Sequence, residues 1–408
     1  MTSTLDRPFD FVDPDMMQRG LPLAEFAELR RTAPVWWNAQ EPGTGGFTDG
    51  GFWVISRHAD IKTISRDNDN WSANENGVVV SFFDGMEPAV VESTKPLLIN
   101  HDPPEHTRLR RIVSKLFTPR GVAGLEDKLR GAAYSIVEEA RTKGSGNFID
   151  DVAAKLPVLA IADLIGVPEP DRQDFFDWAN SCINYTDPEA QTMDPALASV
   201  QLLGYAYSMA EDRRKNPKDD IVTMLVQADF DGDWMTEEEF GFFVMLLGVA
   251  GNETTRNAIA HGMNAFLDHP GQWDLFKRER PKNAADEMVR WATPVTCFQR
   301  TARNDVEIGG ATIRKGQRAG LFYASGNYDE DVFDEPNKFN ILRNPNPHLG
   351  FGGNGTHHCI GANLARMEIA LMFDAIADVI PDIAKISDPT RVRSPWLNGL
   401  KTFEVDYR

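Results

Sequence analysis

Phe351-Gly-Gly-Asn-Gly-Thr-His-His-Cys359-Ile-Gly361 is the segment of this chain whose residues could do the most chemistry. Helical spacing follows it over Ala362–Asp378, so Cys359 stands where a helix begins. Free N–H groups and the helix dipole at such a point favour an anion, and therefore a thiolate. The glycines ahead of it permit a tight turn and a close backbone approach to a flat ligand. Several fates are open to such a cysteine. It can be a metal ligand, since a thiolate is a strong donor to iron or zinc. It can be a nucleophile, although no base-partner motif accompanies it. It can be a buried structural thiol, the common fate of a lone cysteine. A zinc site of His357, His358 and Cys359 is disfavoured, because adjacent side chains rarely point at one metal and no second cluster supplies further ligands.

A second constellation is Ala250-Gly251-Asn-Glu253-Thr254-Thr255. An acid beside a threonine, close to a glycine, marks a place where a helix can kink. The hydroxyl can bond back to a helix carbonyl and open a groove for small molecules such as O2 and water. The alternative is an ordinary buried stretch of helix, but a buried glutamate without a partner is costly. Glu287 and Arg290 are three apart on an expected helix, Ala284–Trp291, and so share a face. Alone they read as a surface ion pair of little consequence. His106 and Arg110 share a helical face in the same way. Arg300 and His348, taken singly, read as solvated groups.

These residues need elements to hold them. Leu23–Thr32 reads as a helix, Gly51–Ile55 as a strand after the turn GTGGFTDGG, and Phe82–Leu98 as loop without a firm period. Helical spacing marks Pro104–Phe117, Val122–Lys143, Leu156–Ile165 and Ala198–Asn216. Thr236-Glu-Glu-Glu239 is a capping box. The helix it opens meets no proline until Pro270, about 32 residues or 48 Å later. Apolar on nearly every side at Phe240–Ala250, that helix must cross the middle of the molecule. Short strands are expected near Cys297–Thr301, Asp305–Ile308 and Phe403–Asp406. The chain reads as one large domain, 1–408, mainly α with small antiparallel β-sheets.

Composition sets outer limits. A net charge of −19 argues against non-specific nucleic-acid binding. The densest basic stretch, His106–Lys115, is a candidate face for an acidic partner. Three cysteines without paired spacing fit a reducing cytoplasm better than a disulfide framework. No apolar run reaches the ~18–20 residues of a transmembrane segment, and the N-terminus lacks a signal-peptide core.

The spacing Gly355-x-His357-x-Cys359-x-Gly361 resembles the haem-binding signature of the cytochrome P-450 family. The other motifs follow in that family's order over nearly the whole chain. The resemblance implies the cytochrome P-450 fold, haem b as cofactor, O2 as co-substrate and Cys359 as the iron ligand. It implies an oxygen-activating, proton-relaying pair in Thr254 and Glu253. Glu287, Arg290 and Arg343 would form a structural lock. His106, Arg110, Arg300 and His348 would meet the haem propionates, which require cationic or hydrogen-bonding groups. Ala250, Gly251, Phe351, Gly352 and Gly361 would complete the haem contacts. One departure is visible. The family's aromatic residue usually stands seven positions before the cysteine; here Gly352 holds that place and Phe351 precedes it.

Several stretches, among them Pro34-Val-Trp-Trp-Asn, Arg290-Trp-Ala-Thr-Pro-Val-Thr296 and Trp396-Leu-Asn-Gly-Leu-Lys401, are similar to the actinobacterial steroid C26-monooxygenase branch, which shares the shifted loop. That likeness implies hydroxylation of the terminal methyl of a cholesterol or cholest-4-en-3-one side chain. It places Val249, Val295, Trp396 and Leu397 around the substrate, although such residues are more often core. Electrons would come from a ferredoxin and its NAD(P)H-dependent reductase, since the chain leaves no room for a flavin or iron–sulfur domain. A cytoplasmic monomer is the default. The rivals are a hydroxylase of branched fatty acids or of a natural product, and a haem-binding sensor without turnover.

Overall fold

The computed structural model describes residues 9–82, 86–114, 117–118, 122–218, 221–227 and 235–408. Helices predominate. Those that position the site are α1 (Leu23–Thr32), α2 (His58–Arg66), α3 (Glu105–Ser114), α4 (Glu126–Lys143), α5 (Lys155–Ile165), α6 (Arg172–Ile183), α7 (Pro195–Lys215), α8 (Glu237–Asp268), α9 (Pro270–Glu279), α10 (Ala284–Ala292) and α11 (Ala362–Val379).

The longest, α8, has 32 residues and both halves of the expected capping box. Thr236 Oγ1 accepts from the Glu239 N–H at 3.2 Å, and the Thr236 N–H donates to Glu239 Oε2 at 2.7 Å. Its end is also as the sequence suggests, two residues before Pro270, whose ring cannot continue a helix from its interior. Helices α5, α6, α7, α10 and α11 all pack against it. The largest apolar cluster, including Phe240, Phe243, Ile259 and Phe266, gathers around it.

A five-stranded sheet lies to one side. Its strands are β1 (Val35–Ala39), β2 (Gly51–Ile55), β3 (Trp71–Ser72), β4 (Phe298–Ala302) and β5 (Arg318–Leu321), in the order β1-β2-β5-β4-β3. Pairing is antiparallel except between β2 and β5, where Trp53 lies opposite Ala319. The connection between those two strands is long enough to permit parallel pairing. The remaining strands form two- and three-stranded antiparallel sheets.

Two expected helices are shorter than their sequence pattern. The regular part of Val122–Lys143 begins at Glu126, because Val122–Leu125 closes a turn instead. Of Pro104–Phe117, the helix covers Glu105–Ser114; Lys115 and Leu116 lie outside the described residues, as do 83–85 of the loop expected over Phe82–Leu98. Among the described residues no helix is long and apolar enough to cross a membrane.

Candidate functional site: a cysteine facing a deep cavity

The cysteine loop closes on itself before α11 begins. The Gly352 N–H donates to Leu349 O at 2.8 Å, His358 N–H to Gly355 O at 3.0 Å, and Cys359 N–H to Phe351 O at 2.9 Å. Gly352 takes a φ of 96°, a conformation that favours glycine. The Cys359 side chain is open to a cavity. Burial pushes its thiol up; the Gly361 N–H and the Arg110 and Arg366 charges pull the other way.

Two of the loop's glycines serve a contact other than the expected one. A Cβ on Gly355 would fall 1.6 Å from Ser65 O, and one on Gly353 would fall 2.1 Å from Ser65 Oγ. They let the loop lie flush on the end of α2. It is Gly361 whose missing Cβ faces open space.

The cavity encloses ≈ 1460 Å³, part of it open to solvent. One wall is a single face of α8, with Phe243, Leu247, Ala250, Gly251, Thr254 and Ala258. These recur at three- and four-residue steps, as a helical face requires. Gly251 lets α5 come close: a Cβ there would sit 2.4 Å from Ile161 Cδ1. The Thr254 hydroxyl donates to Ala250 O at 2.7 Å, the back-bond expected from the sequence, while α8 continues unbroken through these residues.

Neighbouring α8 positions leave this face by about 100° per residue. Glu253 therefore does not line the cavity beside Thr254. Its carboxylate is buried, ion-paired with Arg256 and bonded by Asn257 Nδ2 at 3.1 Å, while Oε2 has no partner. Val249, expected at the substrate, also turns away, into the core beside the cavity.

Two guanidiniums and two imidazoles gather at one side. His106, Arg110, Arg300 and His357 all line the cavity. The His106 and His357 rings are 4.2 Å apart. Burial and the arginine charges lower His106 to about 4 and hold His357 well below its ordinary range. Burial also lowers both guanidiniums. Each bonds a backbone carbonyl, Arg110 to His358 O and Arg300 to Gln299 O, and among the described residues neither meets a carboxylate. His106 Nδ1 is buried without a partner. Two arginines and two neutral imidazoles with no protein carboxylate among them form a donor set that fits the two carboxylates of haem b.

His348 is not part of this group. Its Nδ1 accepts from the Gly350 N–H at 3.2 Å, so Nε2 carries the proton and donates to Asp286 Oδ1 at 2.9 Å. Asp286 also accepts from Arg366 Nε at 2.7 Å, and the Arg366 guanidinium lies 4.4 Å from the centre of the Phe351 ring. Burial alone would raise the Asp286 carboxyl, but His348 and Arg366 hold it below its ordinary value. An acid on α10 has turned the histidine away from the cavity.

Glu287, Arg290 and Arg343 meet in the interior rather than at the surface. Arg290 donates twice to Glu287 at 2.8 Å, and Arg343 Nε donates at 3.1 Å. Both arginines also donate to backbone carbonyls of the Asp334–Lys338 segment. The lock thus fixes the chain leading into the cysteine loop.

Among the remaining expected residues, Ala250, Gly251, Val295, Phe351, Gly352 and Gly361 line the cavity. Trp396 and Leu397 stand one layer behind. The Trp396 ring lies 5.8 Å from Phe298, which takes the lining place, and its indole N–H donates to Tyr185 Oη at 2.7 Å. Leu397 bridges to Val295 through its backbone. Sequence reasoning missed His357 as a cavity group, although its place two residues before Cys359 was a usable signal. Tyr323, Phe298 and Glu368 also line the cavity, and only their positions in space reveal it.

Residues 282–376 match the sequence profile of the family described as cytochrome P-450. The chain is 56% identical over 404 residues to a steroid C26-monooxygenase of Rhodococcus jostii, covering 99% of this chain and 86% of that one. It is 38% identical over 394 residues to a methyl-branched lipid omega-hydroxylase of Mycobacterium tuberculosis, covering 94% and 90%. Among solved structures, a Mycobacterium marinum cytochrome P-450 in complex with pseudoionone superposes with a TM-score of 0.88 at 36% identity, covering 98% of this chain and 100% of that one. With a cysteine opening onto a cavity that offers two haem carboxylates a ready site, and with likeness of this extent, the chain belongs to the cytochrome P-450 family.

Proposed function

We propose that the chain is a haem-thiolate monooxygenase that hydroxylates the terminal methyl (C26/C27) of the cholesterol or cholest-4-en-3-one side chain, in steroid breakdown. The observation that carries this reading is the opening of Cys359 onto a cavity whose other walls are largely apolar, in a chain alike over nearly its whole length to a steroid C26-monooxygenase. A sterol side chain needs such an apolar pocket with few polar anchors. Leu98, Phe243, Leu246, Leu247, Val295 and Phe298 would enclose it.

Cys359 would hold the iron, and Arg110, Arg300, His106 and His357 the propionates. The chemistry supplied by the bound haem is activation of O2 and oxidation of an unactivated C–H bond. In balance, the methyl group, O2, two electrons and two protons give the hydroxymethyl group and water. Thr254 donates its hydroxyl hydrogen to Ala250 O, which leaves its oxygen presented to the cavity as an acceptor that can orient a proton donor there. Glu253 would supply that hydroxyl from behind the wall through the unpartnered Oε2. The apolar walls exclude water and hold the methyl group in place. Electrons would reach the site from a ferredoxin and its NAD(P)H-dependent reductase, with the chain acting as a cytoplasmic monomer.

The test is an optical titration of the ferric protein with cholest-4-en-3-one, with a long-chain fatty acid in parallel. A Soret shift toward the high-spin position with the steroid alone is expected. A shift with the fatty acid alone would overturn the steroid assignment in favour of a lipid hydroxylase.

A further inference from the structure

Among the described residues that line the cavity, Tyr323 alone has a readily oxidised ring; no other tyrosine and no tryptophan faces it. It stands beside Arg300, one of the two arginines that would hold a propionate. From there three rings run outward in contact. The Phe298 ring lies 6.3 Å from Tyr323 and 5.8 Å from Trp396, both within the range of touching aromatic pairs. The Trp396 indole N–H donates to Tyr185 Oη at 2.7 Å, and the Tyr185 hydroxyl donates to Ser81 O at 3.1 Å. Tyr323 and Trp396 are buried, whereas Tyr185, just past the end of α6, is partly exposed. The pairs Trp291–Tyr328 and Trp178–Tyr205 have no ring on the cavity wall.

We propose that Tyr323, Trp396 and Tyr185 form a relay that drains oxidising equivalents from the haem pocket to the surface when no substrate takes them. Tyrosine and tryptophan give up an electron far more readily than phenylalanine, so Phe298 is the bridge and not a station. In one passage Tyr323 loses an electron toward the haem, and its O–H bond breaks as the proton passes to a water in the cavity. Trp396 returns an electron to Tyr323, which takes the proton back. Trp396 keeps its N–H on Tyr185 Oη and recovers an electron from Tyr185, whose own proton leaves to solvent. A small thiol in solution then restores Tyr185 with one hydrogen atom. With a peracid as oxidant, two passages consume one peracid and two thiols and release one carboxylic acid, one water and one disulfide. Cys297 shares the cluster, but burial pushes its thiol up to about 12, and a protonated thiol stands outside the relay. The relay rests on the haem reading above and not on the steroid.

The test mixes haem-loaded ferric protein, without substrate, with peracetic acid, then freezes it within milliseconds for electron paramagnetic resonance. Wild type should give an organic radical whose hyperfine pattern collapses when the tyrosines carry ring deuterium. Tyr323→Phe should lose most of that signal. Trp396→Phe keeps a ring against Phe298 but interrupts the relay, so the radical should stay on Tyr323 and decay several-fold more slowly. With a small thiol present, peracid-driven disulfide formation should be several-fold slower in both variants, and haem bleaching correspondingly faster. A radical that ignores tyrosine deuteration overturns the proposal. So do wild-type rates of disulfide formation and bleaching in both variants. Should Trp396→Phe fail to take up haem, Tyr323→Phe decides alone. The steroid titration is separate: its failure would sink the substrate reading and leave the radical result standing. A wild type that takes up no haem would sink the haem reading and the relay with it.

Discussion

His106 and His357 lie ring against ring, 4.2 Å between centroids and tilted by 48°, although they come from α3 and from the cysteine loop. Neither can charge there without meeting Arg110 and Arg300, so both are poised as neutral donors for an anion. Removing His357 deletes one hydrogen bond to a charged group, worth about 1.5–3 kcal/mol. His357→Ala should therefore lose haem to an acceptor protein about 10-fold faster or more. His348→Gln alters contacts outside the cavity, with Asp286 and the Gly350 N–H, and should leave that rate near wild type. A faster loss in His348→Gln than in His357→Ala would reverse the assignment.

Glu287 neutralises two buried arginines and also accepts from the Asn340 N–H at 2.9 Å and Asn346 Nδ2 at 3.1 Å. Glu287→Gln leaves both guanidiniums without a counter-charge. Breaking a buried pair from one side costs about 3–5 kcal/mol. Urea denaturation should show that loss, and a change within about 1 kcal/mol would mean the cluster relaxes to water.

Stability should fall with acid through His261. Burial and the Arg391 charge lower its imidazole from 6.5 to about 3, against the bond to Asn398 O. The unfolded chain thus binds a proton that the folded one refuses. The contribution is whole above about pH 6.5 and lost progressively as pH falls toward 3, by about 1.4 kcal/mol per pH unit. His261→Gln keeps a donor for Asn398 O but cannot titrate. Its unfolding free energy, measured between about pH 7 and pH 5, should show a slope smaller by a difference that approaches one proton toward pH 5.

Tyr185 links three separate segments. Its hydroxyl donates to Ser81 O at 3.1 Å and accepts from the Trp396 indole, while its ring lies 5.8 Å from Phe82. Tyr185→Phe strands two buried polar groups, at about 1–3 kcal/mol. In a double-mutant cycle with Trp396→Phe, a coupling of about 1 kcal/mol is expected. Strict additivity would show that the 2.7 Å contact contributes nothing.

Local signals carried the elements well. Thr236, Glu239 and Pro270 bound α8 in sequence as they do in space, since a cap and a proline act within one turn. Cys359 and α11 were legible for the same reason. The face of α8 was half legible: Glu253 is Thr254's neighbour in sequence, but one residue's rotation carries its carboxylate out of the cavity. That His348 points away from the cavity was not legible, because Asp286, from a distant part of the chain, decides it. Nor was the pairing of β2 with β5, which joins strands far apart along the chain. Glu368 carries no local mark at all, and only the folded structure places it in the cavity wall.

The close seat of Gly353 and Gly355 on Ser65 makes the cysteine loop and α2 a single unit of exchange. A chimera whose crossover falls between residues 66 and 350 joins one parent's loop to the other's helix. Where the parents differ in the backbone path at Ser65, the junction should cost haem incorporation even though every residue that faces the haem is preserved.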